Sequence, residues 1–387
     1  GISAAQIVKT SDSDAAEIIK RVPGISLIEN RFIIVRGLSQ RYNNVSINNG
    51  AVPSSEADGR AFSFDIIPSS NIDNMMIIKS PTAELPGDFS GGFIKISTKN
   101  MPDENSLSLS VGTGINTVTH FKDFSLLQSS STEWLGFDRC ARPLSKDFPS
   151  HLGSMTDPSQ ITYYTKTGFN NDWNVKTFRP LPDLKLNLTW NRKIGDKVGT
   201  ILTFGYSNAN KTIPDMQNTR YGIYSATADV PTIEKNYIDN QFTNEVKINA
   251  MNNWSFILDS RNRFEFRNLF SQIGKNRFTE RYGTSTVSGE YYENQTEMLY
   301  SSRLSYVGQL AGLHTLDEDM TQTLNWTVDY SYANKMEPDR RIIKNIGGIP
   351  ADKVITPDLP SYNDMINRYD QKLYDHIASV GADYKKS

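Results

Sequence analysis

The chain has 387 residues, a formal charge of -2, a mean hydropathy of -0.48 and one cysteine, Cys140. That length predicts two folding units, the near-neutral, scattered charge argues against a nucleic-acid partner, and a lone cysteine excludes an intramolecular disulfide framework. No run of about eighteen apolar residues predicts a membrane-spanning helix, and no basic-then-apolar start marks a signal peptide, but neither bears on a β-barrel, whose alternating strands keep the average hydropathy polar.

In chain order, Asp14 and Glu17 supply an N-cap with an acid three residues on. Ala15, Ile18, Ile19 and Val22 fall on one helical face, and Pro23-Gly24 ends the helix. A strand Ile33-Ile34-Val35 closes at Arg36-Gly37, and a second, Asn44-Val45-Ser46-Ile47, runs into Asn48-Asn49-Gly50. There Gly50 is expected to supply a positive φ at no steric cost. A loop rich in Pro, Ser and charge follows, then a capped helical turn over residues 67–74 and the strand Met75-Met76-Ile77-Ile78-Lys79. The stretch closes on the glycine-rich corner Gly91-Gly92 and the strand that runs from it to Lys99.

From Ser106 the pattern changes to strict alternation, which gives each strand one apolar and one polar face. Leu184, Leu186, Leu188 and Trp190 alternate with polar residues, and so do Val198, Leu202, Phe204 and Tyr206 after a turn at Gly195-Asp196. Val246, Ile248, Trp254 and Phe256 lead to a turn at residues 259–262, and Phe264, Phe266 and Phe270 lead away from it. Leu324, Trp326, Val328, Tyr330 and Tyr332 follow the acidic turn Asp317-Glu318-Asp319. These runs reach roughly ten or more residues, the length a tilted transmembrane strand requires. Long connections (residues 117–181, 209–241, 276–290 and 335–371) alternate with short turns, as in outer-membrane barrels. About eight strands are expected. Leu184, Leu186, Leu188, Leu202, Phe204, Trp326 and Val328 are expected to face lipid, with neighbours such as Thr203 facing a lumen that tolerates arginine.

Catalytic chemistry is not expected. His120, His151, His314 and His376 share no metal-ligand spacing; the first three are expected exposed in loops and the fourth on a strand. Gly112-Thr113-Gly114 lacks the third glycine and following helix of a nucleotide loop and reads as a strand end. The acidic turn reads as solvated, and no cofactor is implied.

The ordered set Val22-Pro23-Gly24-Ile25, Val35-Arg36-Gly37, Asn49-Gly50, residues 67–79 and residues 91–99 resembles the plug domain of TonB-dependent outer-membrane receptors, with a Bacteroidota-like character. The resemblance implies an N-terminal α+β plug domain over 1–103, followed by antiparallel transmembrane β-barrel strands over 104–387. Those strands are an incomplete portion of a barrel, since a lumen that takes a plug needs about 22. The chain is therefore expected to be a fragment, with its coupling segment upstream and further strands downstream. The resemblance implies multi-pass residence in the bacterial outer membrane and active import of a scarce nutrient. The partners it implies are the inner-membrane energy-coupling TonB protein, outer-membrane lipid, a small-molecule or oligomeric substrate and a surface lipoprotein.

Carried over by position, the substrate-binding plug apex comprises Gln40, Arg41, Tyr42, Ser54, Glu56, Asp58 and Arg60. The plug–barrel coupling residues are Arg36 and Lys79, with carboxylate partners expected in later strands; lysine lacks the bidentate fork that arginine offers. An oligosaccharide, a peptide or a ferric siderophore would suit the apex and the long first loop with Trp134, Phe137 and Tyr163. The competing reading is a non-transporting surface ligand-binding or adhesin module built on soluble β-structure.

Overall fold

A computed structural model of the chain describes residues 1–387 apart from 8, 10–13, 30, 55–60, 83–84, 128–129, 140, 143, 288–290, 320, 348–365 and 387. The N-terminal unit begins with β1 (Ile2–Ser3), α1 (Ala4–Ile7) and α2 (Ala15–Ile19). The expected cap of α2 is in place, with the Asp14 side chain accepting from the Glu17 N–H at 3.1 Å. The helix buries Ala15, Ala16, Ile18 and Ile19.

Next come β2 (Ile25–Ile28), β3 (Phe32–Val35), β4 (Asn44–Ile47), β5 (Gly50–Ala51), β6 (Ile72–Ile78) and β7 (Phe93–Thr98). Strands β2 and β3 pair with each other, and the rest form a five-stranded sheet in the order β1-β6-β7-β4-β5. The β4–β5 turn corrects one expectation. Asn48 and Asn49 carry the positive φ angles, 52° and 70°, as a two-residue primed turn requires. Gly50 is needed for space instead, because a Cβ there would sit 2.6 Å from the Asp329 carboxylate.

Eight strands form the large sheet: β8 (Ser106–Gly114), β11 (Asp183–Ile194), β12 (Val198–Ser225), β13 (Val230–Ile257), β14 (Asn262–Ser285), β15 (Tyr291–Thr315), β16 (Gln322–Gly347) and β17 (Ile366–Lys386). They run antiparallel in sequence order. Between β8 and β11 lie β9 (Phe124–Leu127), β10 (Val175–Phe178) and α3 (Pro158–Thr167).

Several of these strands are about twice as long as the alternation predicts. Residues 209–225, 230–241, 276–285 and 335–347, expected as loops, continue the ladder with mostly polar side chains and apolar ones in no strict alternation, so hydrophobic period does not reveal them. His314 lies accordingly on β15, in a ring stack with Trp326.

The register assigns the two faces of the sheet, since directly paired residues point the same way. Leu109, Leu188, Phe204, Ala250, Phe270, Tyr306 and Tyr332 are successive partners across one face. One residue along, Thr189, Thr203, Met251, Leu269 and Val307 are partners on the other. That second face meets the N-terminal unit: Ile201, Met251, Leu269, Ile273 and Val307 join Ile18, Ile47, Met75 and Ile96 in one core. All seven residues expected to face lipid lie on the first, outward face.

Candidate functional site

The N-terminal unit is fastened to the inner face of the sheet by side chains that alternation alone would have left as a polar stripe. Thr203 Oγ1 donates to Asn71 Oδ1 at 2.7 Å, and Asn253 Nδ2 donates to the Lys99 carbonyl at 2.7 Å. Gln309 Nε2 reaches the Asn48 carbonyl at 2.9 Å, and Ser331 Oγ the Ala51 carbonyl at 3.0 Å. The last three bonds satisfy backbone carbonyls at the ends of β7, β4 and β5, which would otherwise be buried without partners.

The strongest fastening is ionic. Arg303, on β15, donates through Nη2 to Asp65 Oδ2 at 2.7 Å and through Nη1 to Ser63 Oγ at 2.6 Å. Ser63 in turn donates to Asp65 Oδ1 at 2.6 Å. Both charged groups are buried. Burial pushes the Asp65 carboxyl up, but the charges of Arg303 and Lys247 and the hydrogen bonds from Arg303 and Ser63 outweigh it and hold it well below the usual carboxylate range. Close by, Lys247 on β13 lies 3.7 Å from Asp14 and 3.3 Å from Glu245.

Between the α2 face and the inner positions of β12, β13 and β14 lies a cavity of about 830 Å³. Of its fifteen described lining residues five are acidic and five basic, and none of the fifteen is aromatic. Its acids include Glu17 and Glu245 and its bases Arg21, Lys211 and Lys275. Such a lining hydrates well and accommodates charged groups of either sign, beside apolar surface from Leu27, Ala209 and Ile213.

Residues 1–93 match a family model described as TonB-dependent Receptor Plug Domain. The N-terminal unit is a TonB-dependent receptor plug. No curated protein matches the chain. Among solved structures it is similar to the ferric citrate transporter FecA in the unliganded form, at 13% identity, over 100% of this chain and 53% of that one, with a TM-score of 0.40. It is similar to the RagAB peptide importer in the closed-closed state at 9% identity over 100% and 53%, with a TM-score of 0.43. A mutant of the ferric enterobactin receptor PfeA from Pseudomonas aeruginosa matches at 10% identity over 98% and 58%, with a TM-score of 0.42. The chain thus spans little more than half the length of each.

The plug residues singled out in the sequence are held by different elements. Gln40, Arg41 and Tyr42 form a 3-10 turn in which Tyr42 is exposed, and the Tyr42 carbonyl accepts from the Ser90 and Gly91 N–H groups at 3.0 Å. Ser54 is tied to the sheet, its N–H donating to Asp375 Oδ2 at 3.0 Å, and its hydroxyl bonds the Ala61 carbonyl at 3.1 Å. Glu56, Asp58 and Arg60 lie outside the described residues.

Arg36 has φ at 55° with its side chain exposed, and its N–H donates to the Gly24 carbonyl at 3.1 Å. Lys79 Nζ donates to the Pro23 carbonyl at 2.8 Å. Among the described residues the structure brings neither to a sheet carboxylate; the buried pair is Asp65 with Arg303, acid on the plug and base on the wall. Sequence reading missed that pair and the charged cavity beside α2. The available signal was Arg303 at an inward position of an alternating strand, where an unpaired charge is costly.

The first long loop also departs from expectation. Tyr206 Oη donates to the Trp134 carbonyl at 3.0 Å, and Asn276 Nδ2 to Glu133 Oε2 at 3.0 Å, both from outward positions. Trp134 therefore sits on the outside of the sheet, away from the plug. His120 is buried, not exposed: its Nδ1 accepts from the Asn116 N–H at 2.7 Å, which leaves the Nε2 proton for Asp183 at 3.1 Å.

Proposed function

We propose that the chain contributes the plug (residues 1–103) and the first barrel strands (residues 104–387) of a TonB-dependent importer that carries a scarce nutrient across the outer membrane. The observation that supports this is a plug-family unit seated on the inner face of an antiparallel sheet whose outer face carries an apolar band. An adhesin or soluble binding module has no use for a lumen-side plug fastened by a buried ion pair. In this reading Gln40, Arg41, Tyr42, Ser54, Glu56, Asp58 and Arg60 meet substrate, and Arg36 and Lys79 take part in coupling plug movement to the barrel. The TonB protein pulls on the plug, a surface lipoprotein assists capture, and no reaction is catalysed.

Of the three substrate classes, the cavity's balanced charges and the lack of aromatic side chains among its described lining residues favour a peptide over a stacked oligosaccharide or a ferric siderophore with aromatic chelating groups. The test is uptake by cells expressing the intact receptor, with and without the inner-membrane coupling protein. Active import predicts accumulation only when that protein is present. Equal accumulation in its absence would overturn the proposal.

A further inference from the structure

The cavity beside α2 is balanced in the number of its charges but not in their pairing. The five acids among its described lining residues are all engaged. Asp65 is held by Arg303 at 2.7 Å, Asp14 by Lys247 at 3.7 Å and the Glu17 N–H at 3.1 Å, and Glu245 by Lys247 at 3.3 Å. Glu29, just after β2, lies 2.5 Å from Arg31, and Glu17 has a partner as well.

The five bases divide differently. Lys247 and Arg21 are engaged. Among the described residues Lys275 reaches Glu245 alone, at 3.9 Å, and shares that carboxylate with Lys247. It also lies in the field of Arg277, Arg303 and Arg31, which repel it. Lys20, at the end of α2, and Lys211, on β12, are exposed and form no ion pair with any described residue.

The cavity thus presents three amines whose charge is met weakly or not at all, and no described carboxylate in the same condition. In a cleft with protein walls such a surplus is screened less than on an open surface, so it sets the sign of the local potential. An anionic group gains Lys20, Lys211 and Lys275 as partners, whereas a cationic group finds the acids already taken. Gln241 and Thr243 add neutral hydrogen-bonding groups, and Leu27 and Ile213 add apolar surface.

We propose that this cavity selects acidic peptides, whose carboxylates are taken by Lys20 from the plug and by Lys211 and Lys275 from the wall. An ammonium group on a flexible stem accepts a carboxylate in many orientations, which suits peptides of varied sequence better than one rigid anion. Gln241 and Thr243 bond the peptide amides. This selectivity rests on the peptide substrate already proposed and adds the sign of its charge.

The test is calorimetry on the detergent-purified intact receptor with four alanine-rich hexapeptides: one with two glutamates and a free C-terminus, its C-terminal amide, its glutamine counterpart with a free C-terminus, and that counterpart amidated. The first is expected to bind roughly tenfold more tightly than the last, which has no carboxylate. The two intermediate peptides assign the contact to side-chain or C-terminal carboxylate. The Lys20→Gln/Lys211→Gln variant is expected to lose the preference while binding the uncharged peptide as wild type does, which shows the cavity intact. Equal affinity for the first and last peptides, or an undiminished preference in the variant, would overturn the assignment of charge. Failure of all four peptides to bind would instead overturn the peptide reading, so the two failures are distinguishable.

Discussion

Replacing Arg303 with alanine leaves Asp65 buried beside Ser63 without its guanidinium. Removing one partner of a buried pair costs about 3–5 kcal/mol, because the remaining charge is uncompensated. Lys247 also attracts Asp65 here, so the lower end applies. A loss of about 3 kcal/mol, at 1.4 kcal/mol per decade, raises opening of this plug segment roughly 150-fold. Hydrogen exchange at Phe64 and Ala15 in the detergent-purified intact receptor reads this opening, since the Phe64 N–H donates to the Arg31 carbonyl and the Ala15 N–H to the Ile67 carbonyl. In Asp65→Asn/Arg303→Met neither charge remains, and the exchange should move back toward wild type. Exchange in Arg303→Ala indistinguishable from wild type, or a double variant as open as the two singles summed, would refute the reasoning. The sign with pH is fixed by the depressed Asp65 carboxyl. Its stabilisation is complete above the ordinary value of 3.8 and is lost only as pH falls below it, so a neutral-pH experiment sees the whole effect.

The remaining predictions concern single positions. At Asp14 the sign reverses: burial raises its carboxyl against the pull of Lys247 and the Glu17 N–H, so ionisation opposes docking and the contact tightens as pH falls through the raised value. Asp14→Asn keeps a good N-cap and should leave exchange of residues 15–19 at pH 7 unchanged or slower. Leu202→Arg on the outward face should cost about 2–4 kcal/mol in a lipid-bilayer refolding assay. Thr203→Arg, expected from sequence to be cheap, should also destabilise, because Thr203 is buried against Asn71 and the lumen at that level is filled. Gly50→Ala should destabilise the plug hairpin by about 1–3 kcal/mol, read as faster exchange at Ile47, since its Cβ would collide with the Asp329 carboxylate. Replacing Glu56, Asp58 and Arg60 together by alanine should weaken substrate binding at least tenfold, about 1.4 kcal/mol, by calorimetry on the intact receptor.

What the sequence made legible follows from which forces act locally. The α2 cap, the strands at residues 33–35 and 44–47 and the outward faces of β11, β12 and β16 were readable because each depends on neighbours in sequence. Strand length was not, because β12 and β13 continue past the apolar band with mostly polar residues and no strict alternation, where pairing persists and periodicity ends. The role of Gly50 was misread because the close approach comes from Asp329, far along the chain, rather than from the local backbone. The candidate site was the least legible. Asp65 and Arg303 are 238 positions apart, and the cavity brings α2 against three strands; no local pattern announces either. The first loop was misplaced for the same reason: its composition suits a ligand-facing lid, but Tyr206, Gln272 and Asn276 hold it on the outside of the sheet.

The central claim, that residues 1–103 fill the lumen of a membrane barrel, is tested most directly by single-channel conductance of the intact receptor in a planar bilayer. The account predicts a silent or flickering trace for wild type and a large, steady open pore when the plug is deleted, because Thr203, Asn253, Arg303 and Gln309 would then line open water instead of plug. The same conductance with and without the plug would contradict it.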